Sequence, residues 1–135
     1  VGLKISDPEV VKAFQVHPEV HCGDLVYVYV FQDEAVGLFA AVFTKYYYLA
    51  WDGNRFYLMQ ITLGGKEKSF LQIGPGEIES VKIKDRLLDV KIGLILKDRS
   101  IYQLKCVKKV RGLHHQARFL ERIRTAFGTL FPAGD

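Results

Sequence analysis

Between residues 25 and 107 the chain repeats one pattern: short runs of β-branched and aromatic residues, each closed by a few turn-forming residues. Strands this close in sequence must pair antiparallel, because a parallel pair needs a crossover of about a dozen residues or more. The run at 25–31 is LVYVYVF, which reads as a strand packed on both faces. After Gln32-Asp33-Glu34, further strands are expected at 36–43 and 46–51, separated by Thr44-Lys45. Asp52-Gly53-Asn54 is the strongest hairpin signal, since Gly and Asn tolerate the positive φ of a tight turn. A strand at 56–63 follows, then a polar loop at 64–68, a short apolar run at 70–73 and a turn at Gly74-Pro75-Gly76-Glu77.

Three strands close the series, at 78–84, 88–96 and 101–107. In the second of them Leu88, Val90, Ile92, Leu94 and Leu96 alternate with Asp89, Lys91, Gly93 and Ile95, which predicts one buried face. Lys97-Asp98-Arg99-Ser100 turns the chain between the last two.

Helices flank the strands. Ser6-Asp7-Pro8-Glu9 is a helix start, and Val10, Val11 and Phe14 recur at helical spacing until His17-Pro18. Over 114–131, Phe119, Leu120, Ile123 and Phe127 share one face while Arg118, Glu121, Arg122 and Arg124 take the other. That is an amphipathic helix in need of an apolar surface, with Pro132 as its stop. The expected architecture is mainly β (α+β): a barrel or sandwich of about seven antiparallel strands, a short N-terminal helix and a long C-terminal helix capping the open end. A length of 135 residues suits a single domain, with a helical N-terminal extension over 1–22, strands over 25–107 and the capping helix over 114–131.

At this point the chain resembles the bacterial pleckstrin-homology-like domains over about residues 20–131, a single-domain span. The resemblance rests on AAVFTKYYYLAW, on PGEIESVKI, on the hairpin GLILKDRSIYQLKCV and on the helix ARFLERIRTAF. It implies the same barrel, and it implies binding rather than catalysis. Lipid-binding relatives place Lys or Arg in the loop between their first two strands. Here that loop is Phe31-Gln32-Asp33-Glu34-Ala35, whose carboxylates would repel a phosphate.

Several chemistries lack their residues. No GxSxG elbow, phosphate-binding GxxxxGK[ST] or GxGxxG occurs, and Asp52, Glu77 and Glu79 have no spacing that makes them converge. His17 with His21 and His114 with His115 form two distant pairs, read as loop and solvated helix-start residues rather than metal ligands. No enzyme activity, cofactor, metal site or small-molecule substrate is expected. Cys22 and Cys106 are too few for a disulfide scaffold and read as thiols of a reducing compartment. No apolar run is long enough to span a bilayer, and Val1-Gly2-Leu3-Lys4 has no signal-peptide core, so the sequence reads as cytoplasmic.

Two features point to partners. Tyr46-Tyr47-Tyr48 and Tyr57 crowd neighbouring strands, and in an alternating strand only one side of such a run is expected to be buried. The other side would suit a protein interface, including self-association into a homo-oligomer. The charge is also polarised. Residues 1–80 carry 6 Lys and Arg against 10 Asp and Glu, whereas residues 81–135 carry 13 against 5. Within the basic stretch 82–111, Lys82, Lys84, Lys108, Lys109 and Arg111 are the candidate contacts for an anionic membrane surface or nucleic acid, the alternative to a protein partner.

Overall fold

A computed structural model describes residues 6–20, 25–32, 44–62, 64–109 and 113–128. Helix α1 (Asp7–Gln15) precedes β1 (Val26–Gln32), β2 (Lys45–Trp51), β3 (Phe56–Ile61) and β4 (Glu67–Ile73). A 3-10 turn (Pro75–Glu77) leads into β5 (Ile78–Asp85), β6 (Asp89–Leu96), β7 (Ile101–Val107) and helix α2 (Gln116–Phe127). The strands form one open antiparallel sheet in the order β4-β3-β2-β1-β7-β6-β5, so the expected seven-stranded, mainly β architecture is the one observed. The strand expected at 36–43 lies outside the described residues.

Turn chemistry sets the strand ends. Asp52 Oδ1 accepts the backbone N–H groups of Asn54 (2.9 Å) and Arg55 (2.7 Å), and Gly53 takes φ 96°, which closes the β2–β3 hairpin. The loop expected at 64–68 is shorter than the sequence suggests. Gly65 takes φ 83°, and Thr62 N–H donates to the Lys66 carbonyl (2.8 Å), so β4 begins at Glu67. Helix α2 stops at Phe127 because Gly128 takes φ 81° while its N–H caps the Arg124 carbonyl (2.8 Å); the remainder of the expected helix, 129–131, lies outside the described residues.

Packing is unequal across the sheet. On the inner face, Val28, Leu49, Leu58, Ile92, Leu94 and Leu104 gather in one core against Phe119, Leu120 and Ile123 of α2. Strands from both ends of the sheet reach this cluster, so the sheet curls around the helix. On the outer face of β1–β4 a second core joins Tyr27, Tyr48, Tyr57 and Met59 to Val10 and Phe14 of α1. Among the described residues the outer face of β5–β7 has no such cover: Lys82, Lys84, Lys91 and Gln103 lie exposed there.

The seam between the two halves is thin. β1 and β7 share one paired position, Phe31 with Lys105. Beside it the side chain of Gln116, 2% exposed, substitutes for the missing ladder. Its Oε1 accepts Tyr29 N–H (2.7 Å), and its Nε2 donates to the Val107 carbonyl (2.7 Å) and lies 3.2 Å from Cys106 Sγ. Two partly buried backbone groups of β1 and β7 thereby find partners.

Candidate interaction surfaces

The expected outward tyrosine face is replaced by a second core. Tyr47 points inward with Leu49 and Trp51, while Tyr48 and Tyr57 are buried on the opposite side beneath α1. Both sides of β2 are covered because Val10 and Phe14 supply an apolar surface where solvent was expected. Tyr46 is half-buried and stacks on Tyr29 at 6.0 Å. Burial raises the Tyr48 hydroxyl's pKa, and nearby Glu9 adds to the effect. Burial also pushes Tyr57 up to about 12, helped by the hydrogen bond that its hydroxyl donates to Asp52 Oδ2 (2.8 Å).

The described histidines make contacts that hold elements together. His17 stacks on Phe70 at 3.8 Å, and its Nε2 lies 2.6 Å from Glu67 Oε1, which ties the end of α1 to β4. His21 lies outside the described residues. His114 is exposed, and its N–H donates to Asp7 Oδ2 (2.9 Å). His115 departs from the expected solvated position. It is half-buried and stacks on Tyr27 at 4.2 Å, and burial followed by the nearby Arg118 charge lowers its pKa. Among the described residues no group of three or more His, Cys, Asp or Glu is placed to hold a metal ion.

The predicted lysines divide. Lys82 and Lys84 are exposed on the outer face of β5, opposite the inward Ile83. Register then brings Lys91 and Lys105 of the same basic stretch into line with Lys84. Lys84 pairs with Lys91, and Lys91 pairs with Lys105, so three lysines stand in line across three strands. Like charges directly opposite in a sheet repel, so folding does not favour this row. Lys105 also lies 5.6 Å above the Phe31 ring at the β1–β7 seam. Lys108 is turned to Asp85 (2.7 Å), which Arg124 of α2 also holds (2.6 Å). Lys109 is exposed, and Arg111 lies outside the described residues.

A groove of about 480 Å³ opens at the far edge of the sheet. Trp51, Pro75, Ile78, Val81 and Phe127 give it an apolar lining, with Asn54, Glu79 and Ser80 among its polar groups. One wall is β5, which pairs with β6 on its other side and with no further strand among the described residues. The opposite wall is the last turn of α2. There Phe127 packs on Trp51 (5.6 Å) and Phe56 (5.7 Å), and the Arg122 guanidinium lies 5.5 Å above Trp51. Sequence periodicity placed Phe127 on the apolar helix face, but only the three-dimensional arrangement brings it beside the β5 edge.

No family model and no curated protein matches this chain. Among the described residues no helix is long and apolar enough to cross a membrane.

Proposed function

We propose that this chain is a non-enzymatic binding domain of the pleckstrin-homology-like kind, and that it takes up a protein partner as an extended segment along β5. The observation that carries this reading is the edge of β5 running beside the groove of Trp51, Ile78, Val81 and Phe127. An edge strand offers a row of N–H and C=O groups to a further strand. Alternate side chains of an added strand would enter the groove, which supplies selectivity to main-chain pairing. A second copy of this chain is one such partner, because β4 ends the same sheet with another edge.

Peptide selection against the full chain tests this. Selected peptides should alternate apolar residues, protect the amides of residues 79–83 from exchange, and bind about tenfold more weakly to Phe127→Asp or Val81→Lys. Peptides that bind those variants unchanged would sink the groove as the site. Light scattering over a concentration series separates self-association from capture of another protein.

A second reading is favoured by the Lys84–Lys91–Lys105 row: the outer face of β5–β7 binds an anionic surface. Its affinity should fall steeply with added salt, whereas that of the groove should change little.

A further inference from the structure

The β5–β6 hairpin turns through Arg86-Leu87-Leu88-Asp89, closed by the Arg86 N–H donating to the Asp89 carbonyl (2.9 Å). The alternation of β6 places Leu88 on the buried face by sequence. Instead the strand starts at Asp89, and both leucines stand at the corner of the turn, Leu87 88% and Leu88 75% exposed. They are the two most exposed large apolar side chains among the described residues. Turn corners ordinarily carry Gly, Asn, Asp or Pro. Neither leucine takes a positive φ, so the backbone here accepts any residue, and folding gives no reason for two leucines.

Their surroundings are basic. Lys84 and Lys91 form the first lysine pair behind the turn on the outer face, and Arg86 adjoins Leu87. The backbone N–H of Lys108 donates to the Leu88 carbonyl (3.0 Å), which brings the exposed Lys109 alongside as well. The acids at the turn are already engaged. Asp85 is held by Lys108 and Arg124, and Asp89 Oδ1 lies 3.3 Å from Arg86 Nε. An apolar tip ringed by cations matches a surface that is anionic outside and hydrocarbon beneath.

We propose that the β5–β6 turn is a membrane-docking tip: Leu87 and Leu88 enter the acyl boundary of an anionic bilayer while Lys84, Lys91 and Lys109 meet its headgroups. The proposal rests on the reading of the basic face as an anion-binding surface, and it names the bilayer as that surface. Insertion of apolar side chains and attraction to headgroups then act together, as peripheral anchoring requires two signals. A nucleic acid would use the lysines and gain nothing from the leucines.

Vesicle co-sedimentation of the full chain at low salt tests both layers. Vesicles of phosphatidylcholine alone should retain little protein, and vesicles with equal parts of phosphatidylglycerol should retain most of it. Leu87→Ser/Leu88→Ser should weaken binding by about tenfold per leucine, and Lys84→Glu/Lys91→Glu by at least about fivefold per lysine. A Leu87→Trp variant, read against the buried Trp51, should shift its emission to the blue on anionic vesicles only. Both turn positions are exposed, and circular dichroism confirms folding of each variant. Unchanged binding by the leucine variant, with loss in the lysine variant, overturns the docking tip and leaves the basic face standing. Indifference to both pairs, or no vesicle binding by the unaltered chain, overturns the tip; a lysine-dependent, leucine-independent affinity for an oligonucleotide then assigns the face to nucleic acid.

Discussion

Replacing Gln116 with Met keeps the volume and shape of the side chain while removing every hydrogen bond it makes. Tyr29 N–H then loses its acceptor and the Val107 carbonyl loses the Gln116 amide, at a partly buried seam. A buried group left without a partner costs about 1–3 kcal/mol, and a carbonyl is the more tolerant of the two, so the substitution should cost about 2–4 kcal/mol. With an unfolding entropy near 2.1 cal/mol/K per residue, a chain of this length should melt about 7–14 °C lower. Urea unfolding followed by circular dichroism measures the loss, and amide exchange should show the Tyr29 N–H opening faster than its neighbours in β1. Gln116→Glu refines the reasoning. Its carboxylate keeps an acceptor for Tyr29 but sets negative charge against the Val107 carbonyl, and protonation restores a donor. That variant should therefore gain stability relative to the unaltered chain as pH falls. A Gln116→Met protein within about 0.5 kcal/mol of the original, with unchanged Tyr29 exchange, would refute the idea that this amide bridges the sheet.

Three further outcomes follow from the packing and the turns. Phe14→Ala should cost about 3–5 kcal/mol by emptying the outer core, and phenolate titration should show Tyr48 ionising closer to its ordinary range as its cover is lost. Asp52→Ala should cost about 1–2 kcal/mol in urea unfolding through the loss of three hydrogen bonds at a partly exposed turn. Burial pushes the Asp52 pKa up, but hydrogen bonds from Arg55, Tyr57 and Asn54 outweigh it and the net shift is downward. Its contribution is therefore full above the unfolded value of 3.8 and is lost as pH falls through the lower folded value, so the gap between Asp52→Ala and the original should close in acid. Burial pushes the Cys106 thiol up to about 12, so site-resolved alkylation at neutral pH should leave Cys106 unmodified in the native chain and label it in urea.

Much of the fold was legible because its signals are local. The alternation of Val90, Ile92 and Leu94 with Lys91, Gly93 and Ile95 gave β6 its buried face, and Asp52-Gly53-Asn54 gave the hairpin its turn. What escaped depends on distant neighbours. Tyr46-Tyr47-Tyr48 announces a strand, but whether its second side meets water is decided by α1, some thirty residues earlier in the chain. A lone Gln at the start of an amphipathic helix looks solvated until β1 and β7 are known to part company there. Lys84, Lys91 and Lys105 come into line through register alone, and Leu88 extends an alternation past the point where the strand ends. Each of these is a pairwise fact, and hydrophobic periodicity records only single positions.

The unequal cover of the sheet has a consequence for how such a chain can change. Strands β1–β3 are packed on both sides, so almost any replacement there disturbs one core or the other. On β5–β7 the two sides are decoupled: Ile83, Ile92 and Leu104 hold the interior, while Lys82, Lys84, Lys91 and Gln103 lie outside both cores of the described residues. These four outer residues on three adjacent strands can therefore be exchanged as a set with little thermodynamic penalty. Recognition can drift, or be redesigned, on that half of the molecule while the other half keeps it folded.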